Sequence, residues 1–165
     1  MVRYEDRVFI ESNFYYADST FFEVFTAPAI SGDPSVMLSR PNTVVLTEET
    51  ARRYFGNEEP VGKLIRVGER ETEYEVSGVV EGFPENSHFS FNMLGSMTSI
   101  YLADVTQWLG NNNYTYLLLQ EGFDPEELEA KFPAVVADHM GPQREEILGL
   151  TMEEFLETGN TYGYF

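Results

Sequence analysis

Two histidines, His88 and His139, and a series of adjacent acids are the residues of this chain whose types and spacing could do chemistry. Histidine titrates near neutrality and serves as base or metal ligand. His88 stands in "PENSHF" with Glu85 three residues before it, a spacing that raises the question of a metal or a base. A zinc centre needs at least three protein ligands. No third is at hand, so His88 is expected to be a turn histidine. His139 lies on the apolar side of a helical pattern and is expected to be a half-buried packing residue. The acids pair as Glu48/Glu49, Glu58/Glu59, Glu126/Glu127, Glu145/Glu146 and Glu153/Glu154. Glycoside hydrolysis needs two carboxylates facing across a pocket in different environments. Adjacent residues on a helix diverge instead, so these pairs fit caps, turns and solvated faces.

Other reactive patterns are missing. There is no cysteine, which removes disulfides, thiolate ligands and thiol nucleophiles. "SGDPS" and "GNEEPVGK" lack the alternating carboxylates of a calcium loop. "GNEEPVGK" and "GERETE" lack the glycine spacing and Lys-Ser/Thr ending of a phosphate cradle. No serine sits in G-x-S-x-G. The sequence therefore predicts no catalytic residue, no cofactor-binding residue, no metal ligand and no cofactor. It assigns no residue to partner or substrate contact. Aromatics do concentrate in "SNFYYADSTFFEVF" and "SHFSFNM", where most serve the core and some could form an exposed docking patch.

The chain has 165 residues, 42% hydrophobic and 15% aromatic. That suits one ordinary domain or two small subdomains with a real core. Its formal charge is −18, from 28 acids and 10 bases. Nucleic acid is a poor partner, because binding it requires a basic surface, and an anionic bilayer would repel the chain. No apolar run approaches the ~20 residues of a membrane span. The opening "MVRYEDRVF" carries no signal pattern and fits an excised segment.

Periodicity supplies the elements meant to hold these residues. "RVFIESNFYYADS" predicts a strand ending near Ala17, and Asp18 or Ser19 then caps a short helix over "TFFEVF". "TAPAISGDPS" predicts a loop, punctuated by Pro28, Gly32 and Pro34. Thr43–Leu46 predicts a strand, and Thr47 caps the helix that follows. Glu48 and Glu49 lie at the positive end of its dipole, Arg52 and Arg53 in its last turn, and Gly56 as its left-handed stop. "KLIRVGERETEYEVSGVVE" predicts a hairpin turning at Gly68. Tyr74, Val76, Gly78 and Val80 would share one face, with Glu73, Glu75 and Ser77 on the other. A short helix is expected around Trp108, and "NYTYLLLQ" predicts a strand buried on both faces. A helix capped by Asp124 should break at Pro133 while keeping Leu128, Phe132, Val135, Val136 and His139 on one side. A further short helix is expected from Gln143, and "TGNTYGYF" as a terminal or truncated strand.

Three stretches in order resemble the MacB-like periplasmic core domain of ABC-transporter permeases of the MacB/FtsX superfamily. They are "ADSTFFEVFTAPAISGDPSVMLSRPNTVVLTEETARRYFGNEEPVGKLI", "YEVSGVVEGFPENSHFSFNMLGSM" and "NYTYLLLQEGFDPEELEAKF", and the likeness spans roughly residues 8–140. "PENSHF" and "YFGNEEPVGK" are similar to the Bacteroidetes branch. The resemblance implies an α+β fold made of an inserted, Sabre-like α+β lobe at 17–104 and a partial porter-like βαβ part from 1–16 and 105–165. By that likeness the chain lacks the membrane helices and the first strand and helix of the porter part. It implies a periplasmic, non-enzymatic domain of an inner-membrane protein, which relays conformational change driven by a separate cytoplasmic ATPase. Its implied partners are that ATPase, a second permease subunit, and a periplasmic adaptor or substrate. The alternative is a free-standing secreted or periplasmic module that binds a ligand or protein through its aromatic patch. A hydrolase built on an acid pair is the third reading.

Overall fold

The computed structural model describes residues 1–84, 86–100, 108–110 and 113–157, which fall into two units, Met1–Val105 and Thr106–Phe165. The first unit runs β1 (Val2–Tyr4), β2 (Arg7–Phe9), β3 (Phe14–Ala17), α1 (Phe21–Val24), β4 (Ala29–Ser31), β5 (Thr43–Thr47), α2 (Glu48–Phe55), β6 (Leu64–Val67), β7 (Thr72–Val80) and β8 (Met93–Ser96), closing on a 3₁₀ turn at Met97–Ser99. The second holds α3 (Pro125–Glu129), α4 (Phe132–Leu148) and α5 (Met152–Glu157). The fold class is α+β, as the sequence implies. Among the described residues no helix is long and apolar enough to cross a membrane.

One mixed sheet organises the first unit, in the order β2-β1-β6-β7-β5-β8-β3, with β4 joining β7 off that path. β7 pairs parallel with β5 and antiparallel with β6. β8 is antiparallel to β5 and parallel to β3. All residues of β5 and β8 are buried, because clusters pack on both faces of the sheet. Val44, Leu46, Tyr54, Ile65 and Val76 belong to one cluster; Met37, Leu38, Val45, Val80 and Leu94 belong to the other. Each such aliphatic side chain withdrawn from water contributes about 1.5–3 kcal/mol.

The central passage folds as the sequence predicts. Thr47 has extended backbone and its hydroxyl accepts from the N–H of Thr50 at 3.4 Å, while also donating to the Thr50 hydroxyl at 2.9 Å. Arg52 bonds Glu48 one turn back at 2.6 Å. Gly56 ends the helix at φ 64°, ψ −115°. That is the mirror image of extended backbone rather than the left-handed helical region, and glycine alone enters it cheaply. Thr47→Ala is therefore expected to cost about 1 kcal/mol, seen as a lowered urea midpoint with an unchanged slope. Gly56→Val, with open space around its Cβ, is expected to cost about 2 kcal/mol from backbone strain alone. Thermal melts unchanged from wild type would refute the helix stop.

Elsewhere the structure corrects the sequence reading. The single strand over residues 7–17 is two strands, β2 and β3, separated by residues 10–13. β2 returns antiparallel against β1, with Val2 opposite Phe9, and β3 crosses to the far edge of the sheet. The loop at 26–35 contains β4, whose pairing slips between Ala29 and Ser31. Thr20, not Asp18 or Ser19, is the N-cap of α1; the Asp18 carboxylate instead accepts from the backbone N–H and hydroxyl of Thr20.

The predicted face of β7 also changes midway. Val44 pairs with Val76 but Val45 pairs with Gly78, so Ser77 is an extra residue, and its hydroxyl donates to the Val44 carbonyl. A bulge reverses side-chain parity beyond it. Tyr74, Val76 and Val79 consequently share the first cluster, whereas Gly78 and Val80 turn to the second.

In the second unit, residues 113–120 form no strand. Tyr114 is 92% and Leu118 73% exposed. A charge-free, β-prone run becomes a strand only where another strand supplies its hydrogen bonds, and among the described residues none does so. The double burial expected of it belongs to β5 and β8. The helix after Asp124 does break before Pro133: the Asp124 carboxylate accepts from the Glu126 N–H, α3 ends at Glu129, and α4 starts at Phe132 with Pro133 in its first turn. α4 then continues through Gly141 and Pro142 to a left-handed stop at Gly149, φ 67°, so the tail helix expected over "REEILGLTMEEFLE" is divided between the end of α4 and α5. Of the short helix expected around Trp108, residues 108–110 form a turn and no helix; residues 101–107 and the terminal "TGNTYGYF" lie outside the described residues.

Candidate functional site

The residues singled out as reactive are dispersed. His88 is exposed and its ring meets Phe89 edge-on at 4.6 Å; Glu85 lies outside the described residues. His139 is exposed rather than half-buried, and stacks flat on Trp108 at 4.4 Å and 9°. The Trp108 backbone N–H donates to the Gln143 side chain. Among the described residues no group of three or more acids or histidines could hold a metal ion.

The paired carboxylates fill local roles. Glu48 and Glu49 open α2, Glu126 and Glu127 open α3, and Glu153 and Glu154 open α5. Glu145 and Glu146 ride on α4. The backbone N–H and hydroxyl of Thr151 bond Glu154 and hold its carboxyl below the usual range. Glu58 is engaged by Lys63, whose hydrogen bond depresses the acid and raises the amine. Glu59 accepts from the Ser31 hydroxyl at 3.0 Å. Glu48, Arg52, Glu58 and Glu59 do line one shallow groove of about 360 Å³. Each of these acids already has a local donor.

One carboxylate is different, and sequence reading passed over it. The Glu11 side chain is only 2% exposed. It accepts from Arg53 at 2.6 Å, from the Tyr54 hydroxyl at 2.9 Å and from the Asn92 amide at 3.0 Å. It thereby ties the β2–β3 connection to α2 and to the start of β8. Burial first, and then Glu11 itself, push the Tyr54 phenol far above its ordinary pKa. On the same face, burial and a 3.1 Å bond to Tyr74 do the same to Tyr16. The three bonds of Glu11 link segments more than forty residues apart in sequence, so the network is a brace. The signal for it was one acid alone in the apolar and aromatic run "VFIESNF".

The aromatics of "FFEVF" and "HFSF" gather on the other face of the sheet. Phe91 is buried at the base of the second cluster, and Phe21, Phe22, Phe83 and Phe89 are partly buried around it. The described residues thus offer a braced sheet and an aromatic face.

The MacB-like periplasmic core domain family matches residues 1–135. The chain belongs to that family. It resembles a crystal structure of a domain of a protein described as a permease from Porphyromonas gingivalis, with 28% identity and a TM-score of 0.65 over 75% of this chain and 58% of that one. It also resembles the periplasmic region of MacB from Actinobacillus actinomycetemcomitans, with 18% identity and a TM-score of 0.57 over 98% and 72% of the two chains. No curated protein matches the chain. The chain spans a little over half the length of the Porphyromonas domain. As a MacB-like domain it is of a kind found in the periplasmic part of ABC-transporter permeases.

Proposed function

We propose that this MacB-like domain is a stiff relay outside the inner membrane, moved by ATP hydrolysis on a separate cytoplasmic subunit and making or breaking no covalent bond itself. One observation carries the reading. A single sheet runs from the β1–β2 hairpin at one edge to β3 at the other, with side chains packed on both faces and the connection between its two edge strands bonded through Glu11 to α2 and to the start of β8. Packed interiors compress little, so displacement at one edge passes through as rigid-body movement. The division into an inserted lobe at 17–104 and a porter-like part from 1–16 and 105–165 belongs to this proposal. So do the partners: a cytoplasmic ABC ATPase, a second permease subunit, and a periplasmic adaptor or substrate.

The test uses the full-length permease with its ATPase. This chain contributes no cysteine, so a spin label placed by Glu69→Cys reports from the exposed β6–β7 turn without background from the domain. The distance between labels on two permease subunits is expected to shift between nucleotide-free and ATP-bound states. A distance distribution independent of nucleotide would overturn the relay.

A further inference from the structure

Six phenylalanines form one connected group in the first unit. Phe21 is the hub, with ring centres 5.2 Å from Phe22, 4.9 Å from Phe25, 6.4 Å from Phe83, 6.2 Å from Phe89 and 6.0 Å from Phe91. Only Phe91 is buried; the others keep part of their surface in water. α1 buries none of its residues, so it holds Phe21 and Phe22 half in and half out. Partly exposed rings are ordinary when scattered, but five of them connected in one patch mark a surface that can take a partner.

The segments that carry these rings are one-sided in charge. Residues 8–39 and 71–130, which supply all six, contain no lysine or arginine. The same segments carry exposed acids within three residues of a ring in sequence: Asp18 before α1, Glu23 between Phe22 and Phe25, and Glu81 before Phe83. We propose that this phenylalanine face docks a basic, apolar segment of a partner polypeptide. A bulky side chain of the partner seats among Phe22, Phe25 and Phe89, and its flanking lysines or arginines meet Asp18, Glu23 and Glu81. Aromatic side chains dominate interface energetics, ring faces attract cations, and acids flanking the rings select the sign of the partner. A second copy of this chain would set acid against acid, and an anionic bilayer would be repelled. The proposal uses this chain alone and stands whether or not the relay reading does.

The probe is an amphipathic Lys/Leu peptide, titrated into the chain by calorimetry beside a Glu/Leu and a Lys/Ser peptide of the same length. The Lys/Leu peptide is expected to bind about tenfold tighter than either, since it alone satisfies both rings and acids. Phe22→Ser is expected to abolish binding. Because that variant can also unfold, Glu23→Lys is the second arm; it changes only an exposed charge and is expected to weaken binding about tenfold. Glu69→Lys makes the same change of net charge on the distant β6–β7 turn and is expected to leave binding intact. Equal loss in both lysine variants would reduce the effect to general attraction for an acidic chain and overturn the proposal. Equal binding of the Lys/Ser peptide, no binding of the Lys/Leu peptide, or binding of zwitterionic phosphatidylcholine vesicles in its place would overturn it as well.

Discussion

Replacing Gly32 with alanine is expected to cost about 4 kcal/mol, from backbone strain and overpacking together. Gly32 has φ 91°, a conformation that side chains rarely adopt. A Cβ built there would sit 2.5 Å from the Ser77 carbonyl oxygen and 2.9 Å from the Gly78 Cα. Both obstacles are backbone, at the bulge of β7, and the same Cβ would press the buried Met37 at 2.9 Å. A flexible neighbour would yield; the bulge cannot shift without disturbing the register of β5 on β7. Gly62 provides the control. Its φ is 87°, yet nothing lies within 4 Å of its Cβ, so Gly62→Ala carries strain alone, about 1 kcal/mol. Urea denaturation followed by far-ultraviolet circular dichroism measures both. Equal midpoints for the two variants would show that the contact at Ser77 carries no weight.

Glu11→Ala is the second large effect, expected at about 3 kcal/mol. The loss is not three hydrogen bonds at face value. Arg53 is 41% exposed and recovers water, which discounts its share. The Tyr54 side chain is fully buried, so its hydroxyl is left without an acceptor, and Asn92 loses the partner that positions it beside β8. Glu11→Gln tests the charge separately. The amide oxygen can still accept from Arg53 and Tyr54, so Gln should retain about half of the stability that Ala loses. Tyr54→Phe should cost about 1 kcal/mol. Hydrogen exchange should report the loss locally, with faster exchange at the Asn92 and Met93 amides, both of which donate to the Asn13 carbonyl. Unchanged exchange there, with the midpoint of Glu11→Ala near wild type, would mean that Glu11 braces nothing.

These two residues mark what was and was not legible in the chain. Gly32 was read as loop punctuation and Glu11 as part of a strand. The first is locally sound, the second is corrected by the gap between β2 and β3, and both miss that each residue meets something remote in sequence: Ser77 for Gly32, and Arg53, Tyr54 and Asn92 for Glu11. The bulge at Ser77 escaped for the same reason. Alternation along "TEYEVSGVV" is regular, and only the partner strand reveals that one residue is extra. The segment 113–120 is the converse case, a strand pattern in isolation that no strand accompanies among the described residues.

By itself, the sequence determined what depends on near neighbours. The Thr47 cap, the charges arranged along α2, the stop at Gly56, the β6–β7 turn and the break before Pro133 all arise from bonds and dihedrals within a few residues. The order of these local signals was enough to point to the family. Tertiary structure alone decided the order of strands in the sheet, the burial of Glu11, the reversal of faces along β7 and the gathering of six phenylalanines on one side. These rest on contacts between residues tens of positions apart, whose loop-closure entropy is offset only when the whole sheet assembles.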